Sequence, residues 1–279
     1  MEHDEGKGKK MGKKDRVVLC CLGGGKMGEA LIRGLLEART FLPAQVRVVD
    51  PDPRRREILR EKHRLQTLES PVAADIYLLA MKPQDLGGAL ESVRPFLEKK
   101  PLVISIAAGI STGWIRERIG EGSRLARAMP NAAAGVRQSA TGIYFAPGMG
   151  EEDKARVTRI FAAVGLTVMV DKEDLLNVIT GLSGSGPGYV FMFLEAMADA
   201  GVLLGLSRDS SVRLALQTFL GSSVMATELK LPLSTLKEMI TSPGGTTMAG
   251  LVELEERAVH GALMKAVEAA TRRSRELSS

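Results

Sequence analysis

Twelve residues near the start decide how this chain folds. The apolar run Val17–Leu22 ends in Gly23-Gly24-Gly25-Lys26-Met27-Gly28, and from Met27 to Leu36 the apolar positions recur at helical spacing. A short buried strand turning through glycines into a helix has one well-understood use. Gly23 permits the tight turn, Gly25 lets backbone approach a pyrophosphate, and Gly28 lets the helix pack on the strand. Gly24, Lys26 and Met27 lie in the same loop, where unpaired N–H groups and the positive end of the helix dipole face an anion. The spacing therefore predicts a dinucleotide-binding unit, with a structural glycine turn as the plainer alternative.

The residues that follow fit that start. Val46–Asp50, Ile76–Met81, Leu102–Ile106, Leu125–Met129, Thr141–Phe145 and Thr167–Val170 read as further strands. Pro53–His63 and Glu151–Val164 read as helices between them. Strand–helix alternation predicts a Rossmann-type, doubly wound parallel sheet over residues 16–171. From 172 to 279 the strand runs stop and helical periodicity takes over. Pro187–Leu206 is nearly all apolar, interrupted by Glu195 and Asp199. A helix apolar all round is buried. Ser211–Leu229, Leu233–Ile240 and Thr246–Leu277 complete an all-α region too apolar to cover itself. A second copy of the chain supplies the missing face, predicting a homodimer or higher oligomer.

Composition narrows the function. Aromatics are only 4% of the chain, too few for stacking platforms on single-stranded nucleic acid. The net charge is +5, but the first sixteen residues hold six Lys/Arg against four Asp/Glu. Beyond them no basic cluster marks a nucleic-acid face. Met1–Asp15 has no apolar periodicity and reads as a disordered tail without the apolar core of a signal peptide. The interrupted 187–206 helix lacks membrane flanks, so no membrane contact is expected. Cys20 and Cys21 are adjacent in a strand and point to opposite faces, so they read as free, buried thiols in a reducing, cytoplasmic setting. No Cys/His cluster accompanies them, so no metal is expected.

Asp50 ends the second strand, 22 positions after Gly28. An acid there accepts from the ribose hydroxyls of NAD and repels a 2′-phosphate. Arg54, Arg55 and Arg56 follow closely, and an arginine fork can clamp that phosphate, as in NADP. The choice between NADP and NAD stays open. Ala80-Met81-Lys82-Pro83 and Ala107-Ala108-Gly109 end two further strands, on the ligand side of such a sheet. The first offers a cation; the second lets a flat ring approach backbone.

A second dense turn, Ser242-Pro243-Gly244-Gly245-Thr246-Thr247, precedes the last helical stretch. Gly244 and Gly245 free the backbone, and Thr246 and Thr247 are suited to cap a helix over Met248–Glu256. The turn reads either as a nest for a carboxylate or as a plain cap with a glycine hinge. Leu182-Ser183-Gly184-Ser185-Gly186-Pro187 admits either a ligand or a closely packed backbone.

The three histidines, His3, His63 and His260, lie outside every glycine-rich turn, and no lysine occurs between Lys172 and Lys230. Imidazole or lysine acid–base catalysis has no obvious seat. Reduction of a C=N bond needs little such help, because a protonated imine is already electrophilic and need only be oriented against a nicotinamide.

Together, GGGKMG at 23–28, AMKP at 80–83, AAG at 107–109, MPN at 129–131, LSGSGP at 182–187 and SPGGTT at 242–247 resemble the pyrroline-5-carboxylate reductase family. The resemblance spans Val17 to Leu277. It implies hydride transfer from NADPH or NADH to the C=N carbon of 1-pyrroline-5-carboxylate, giving L-proline. It implies that residues 242–247 hold the substrate carboxylate, that Thr247 hydrogen-bonds the ring nitrogen with Ser242 beside it, and that Glu173 lies near the substrate amine. It implies cofactor contacts at Gly23–Gly28, Lys82 and Ala108. It further implies interlocked dimers through the helical domain, often assembled to decamers. Three positions depart from the family's pattern: Ala132 follows Asn131 in place of Thr, Thr67 replaces an Asn that contacts the cofactor ribose, and Asp50 replaces a small or polar residue.

Overall fold

A computed structural model describes residues 17–277, and the tail Met1–Asp15 lies outside them. The chain divides into two compact units, one reaching Gly184 and resuming at Thr271, the other Ser185–Ala270.

The first unit is built on one sheet. Its strands are β1 (Leu19–Leu22), β2 (Val46–Val49), β3 (Gln66–Leu68), β4 (Ile76–Leu79), β5 (Leu102–Ser105), β6 (Arg124–Met129), β7 (Ser139–Phe145) and β8 (Gly165–Met169). They lie in the order β3-β2-β1-β4-β5-β6-β7-β8. All neighbours run parallel except β6 and β7, which pair antiparallel. The predicted doubly wound sheet is present with that one reversed joint. It also has one strand more than the apolar runs indicate. β3 is only three residues long and buries little beyond Thr67, so its pairing with β2 leaves no apolar run to read.

Along its central strands both sheet faces are buried, as parallel sheets require, while the edge strand β8 is largely exposed. Leu19, Cys21, Ile76 and Leu78 join one core with Leu31, Ile32 and Leu35 of α1 (Lys26–Glu37), Leu59 of α2 (Pro53–His63) and Phe161 of α5 (Glu151–Ala162). Cys20, Leu22, Tyr77 and Leu79 join the opposite core with Leu86 and Leu90 of α3 (Leu86–Val93) and Ile115 of α4 (Thr112–Ile119). The two cysteines thus fall in different cores, the two-residue period of a strand made visible. Local chemistry sets the helix starts. Asp52 accepts from Arg54 N at 2.9 Å with Pro53 at the first helical position of α2, and Ser111 accepts from Trp114 N at 3.1 Å ahead of α4.

Residues 172–184 pack with the sheet unit. They carry α6 (Leu175–Ile179) and the turn through Gly184. Asn131 Nδ2 donates to Ser183 O at 3.0 Å, Ser274 Oγ donates to Asn177 Oδ1 at 2.8 Å, and Arg275 pairs with Asp174 at 2.6 Å.

The second unit is helical: α7 (Gly186–Leu203), α8 (Arg208–Leu229), α9 (Leu233–Met239), α10 (Thr246–Glu256) and the larger part of α11 (Val259–Glu276). α7 packs on α8 where Gly201 meets Ser211. A Cβ on Gly201 would lie 2.6 Å from the Ser211 hydroxyl. The helical stretch from Thr246 to Leu277 is two helices, the first ending at Glu256 as its bounds predict, parted at Ala258, whose φ is +52°. α7 is not buried within its own chain. Phe191 is 67% exposed, Met192 and Leu203 are exposed too, and only Ala198 is buried. Among the described residues no helix is long and apolar enough to cross a membrane.

Candidate active site

The strand order reverses between β1 and β4, where open α/β sheets place their ligands beyond the strand ends. The turns that leave these two strands press together. A Cβ on Gly23, whose φ is +95°, would lie 2.7 Å from the carbonyl carbon of Ala80. A Cβ on Gly28 would lie 2.2 Å from Gly23 O, so α1 can sit against the loop only without a side chain there. At Gly25 the same position is open space, and Gly25 caps α1 with no side chain occupying the first N–H groups. These residues suit a pyrophosphate in chemistry and in room.

Beside them is a cleft of about 450 Å³, lined by Gly23, Gly25, Asp50, Ala80, Met81 and Lys82 among others. Lys82 is exposed and its ammonium has no partner among the described residues. Pro83 begins a short turn of 3₁₀ helix just after it. Glu69, Ser70 and Pro71, beyond β3, and Asp85, Ala89 and Ser92, around α3, also line the cleft. No motif in the sequence marks these six residues, and β3 itself is too short to leave an apolar signal.

Asp50 lies at the end of β2. Its carboxylate accepts from Gly24 N at 2.8 Å and from Asp52 N at 3.0 Å, tying the glycine loop to the turn into α2. The arginines beyond it differ in availability. Arg55 donates to Gly24 O and forms an ion pair with Glu29. Arg56 donates to Asp50 O at 2.7 Å and Pro51 O at 3.0 Å. Arg54 is exposed, its guanidinium without a partner among the described residues. Glu29 also accepts from Lys62 at 2.8 Å and contacts His63 at 3.0 Å. Burial raises the affinity of Glu29 for a proton. The hydrogen bonds from Lys62, His63 and Arg55 outweigh it and bring the carboxyl down to about 2. Thr67 is nearly buried, donating to Arg56 O at 3.2 Å and accepting from Arg60 at 3.3 Å.

The turn 107–109 follows β5. Ala107 is buried, Ala108 is half-buried and Gly109 has φ +79°. Three residues on, Thr112 donates through its backbone N to Glu173 at 2.6 Å and through its hydroxyl at 2.7 Å. Arg127 on β6 donates to the same carboxylate at 2.7 Å.

In the helical unit, the 242–247 turn is closed by Gly245 N donating to Ser242 O at 3.0 Å, with Gly244 at φ +67°. A Cβ on Gly245 would lie 2.3 Å from the Ser242 hydroxyl oxygen. The expected helix starts two residues earlier: Gly245 caps α10, and Thr246 and Thr247 are its first two residues. No side chain takes the free N–H groups, and Ser242, Thr246 and Thr247 are exposed. Those N–H groups, at the positive end of an eleven-residue helix, can hold a small anion.

Residues 173–277 match the family model for pyrroline-5-carboxylate reductase dimerisation, and residues 18–109 match that described as NADP oxidoreductase coenzyme F420-dependent. The chain is 41% identical to a pyrroline-5-carboxylate reductase of Methanosarcina acetivorans, over 92% of this chain and 96% of that one. The chain belongs to the pyrroline-5-carboxylate reductase family. Likeness to the family's reductase from Arabidopsis thaliana is 38% over 92% of this chain and 94% of the relative. The fold agrees with that of the Plasmodium falciparum family member solved with NADP bound, at a TM-score of 0.86 and 33% identity, covering 95% of this chain and 99% of that one. The family's dimerisation region is the part of this chain whose longest helices leave their apolar side uncovered.

Proposed function

We infer that this chain reduces 1-pyrroline-5-carboxylate to L-proline at the expense of NADPH or NADH, the last step of proline biosynthesis. The observation that carries this reading is the 242–247 turn: a helix start with no side-chain cap, two glycines and three exposed hydroxyls, in a chain of this family. Free N–H groups at the start of α10 take the carboxylate, and Gly244 and Gly245 let it approach the backbone. The Thr247 hydroxyl bonds the ring nitrogen and orients the imine, with Ser242 as the neighbouring hydroxyl. The nicotinamide nucleotide, when bound, supplies a hydride to the C=N carbon. The nitrogen, already protonated, becomes a neutral amine and then takes a proton from water.

Gly23 to Gly28 are suited to the pyrophosphate and Lys82 to a phosphate oxygen, with Ala108 in the turn beyond β5. A carboxylate offers about four acceptor positions. Glu173 has three donors on it, which leaves one for a substrate amine. The reading requires that the 242–247 turn and the cofactor cleft serve one substrate in the assembled enzyme. It places the enzyme in the cytoplasm, where thiols such as Cys20 and Cys21 stay reduced. It also takes the homodimer as the unit of a larger assembly, such as a decamer, which light scattering would size.

The test is direct. Purified protein is mixed with 1-pyrroline-5-carboxylate and NADPH or NADH, and both cofactor oxidation and L-proline are measured. Equal amounts of the two products support the reading. Cofactor binding without substrate-dependent oxidation would overturn it in favour of a nucleotide-sensing oligomer.

A further inference from the structure

The end of β2 presents a fixed acid to the cleft, while two of the three arginines behind it are engaged elsewhere. Asp50 lines the cleft and is locked in place by Gly24 N and Asp52 N. Of the three arginines behind it, Arg55 is spent on Glu29 and the glycine-loop carbonyl of Gly24, and Arg56 on two carbonyls of its own turn. Of these three, Arg54 alone has a guanidinium without a partner among the described residues, and it is exposed to solvent, which screens its charge. A second acid, Glu69, lines the same cleft.

We propose that this enzyme selects NADH over NADPH, with Asp50 as the selecting residue and Glu29 as a positioning residue that keeps Arg55 off a 2′-phosphate. The proposal rests on the reading above that a nicotinamide dinucleotide fills this cleft. The ribose 2′- and 3′-hydroxyls can donate to the lone pairs that Asp50 keeps after its two backbone bonds. A phosphate dianion in place of the 2′-hydroxyl meets a carboxylate that cannot swing away without releasing the glycine loop. Glu29 holds its charge firmly, since Lys62 and His63 contact it as well as Arg55.

The experiment is calorimetric titration with NADH and NADPH separately, in the absence of any imine. Like-charge repulsion in a partly dry cleft predicts a Kd for NADH at least about tenfold below that for NADPH. Asp50→Asn keeps an amide oxygen for Gly24 N and removes the charge. It should narrow the ratio to within about threefold, chiefly by strengthening NADPH. Glu29→Gln should strengthen NADPH binding and leave NADH as it was. This second variant tests the idea even if the first folds poorly, which a melting curve reveals. Wild-type protein that binds NADPH as tightly as NADH, or a ratio unmoved in both folded variants, overturns the proposal alone. Wild-type protein that binds neither nucleotide overturns the cofactor reading along with it.

Discussion

Glu173 lies 46 residues from Arg127 in the chain, yet its carboxylate accepts a 2.7 Å hydrogen bond from the Arg127 guanidinium. The arginine side chain is 7% exposed, so the pair is largely shielded from water. Thr112 adds two more bonds to the same carboxylate, joining the start of α4 to the middle of the sheet.

Removing the acid strands a buried cation. Glu173→Ala should therefore destabilise the protein by about 3 kcal/mol, the scale of an orphaned buried charge. Glu173→Gln keeps acceptors for Thr112 and should cost about 1–2 kcal/mol. Urea unfolding of the three proteins under one condition measures both. A loss below about 0.5 kcal/mol for Ala would mean the pair behaves as an exposed one.

Gly28 is held to a hydrogen by the backbone it faces, 2.2 Å from where a Cβ would sit. Gly28→Ala must push α1 away from the Gly23 turn. Nucleotide affinity should fall by at least about tenfold, since a displacement of about 1 Å suffices to spoil a preorganised site. Titration with NADH reads this directly. Gly25→Ala makes an instructive companion: the space there is open, so the fold should hold while binding weakens.

Thr247 stands second in α10 and is exposed. Thr247→Ala should lower kcat/KM by about 1–3 kcal/mol, roughly one hydrogen bond to the reacting ring. Thr247→Ser should restore most of it. Steady-state kinetics with 1-pyrroline-5-carboxylate settles the matter, and an unchanged rate for the alanine variant removes the residue from the mechanism.

Acid should expose the Glu29 cluster. The folded carboxyl lies near 2 against an ordinary value of 4.5. A group whose folded value is depressed contributes stability that is complete above its unfolded value and lost as pH falls towards the folded one. Wild-type protein should therefore lose stability between about pH 4.5 and 2, and Glu29→Gln should lose less across that window. Denaturant midpoints collected at several acidic pH values compare the two slopes.

The sheet was readable because its strands are apolar on both faces, as at Leu19–Leu22 and Ile76–Leu79, and the glycine spacing located the cleft. Features that depend on contacts across the fold were not readable. β3 exists only because β2 offers it a ladder. Neither glycine nor proline marks the break at Arg257-Ala258. The triple arginine reads equally as a phosphate clamp or a solvated helix face, and only the fold shows Glu29, on another helix, holding Arg55. Thr246 and Thr247 are good capping residues in isolation, but Gly245 already occupies the extended position and leaves them inside the helix. The family resemblance marks Glu173 as an acid near the substrate amine, and only the fold supplies Thr112 and Arg127. α7 is apolar enough to be buried, but its cover has to come from another chain.

The paired cysteines of β1 have a practical bearing. Burial pushes the Cys20 thiol up to about 11 and the Cys21 thiol further still, and each is walled into a separate layer of aliphatic side chains. Alkylating probes attack thiolates they can reach, and here there are none. A reporter cysteine engineered on the 242–247 turn would thus be the sole site to take a fluorophore, with no need to strip the native ones.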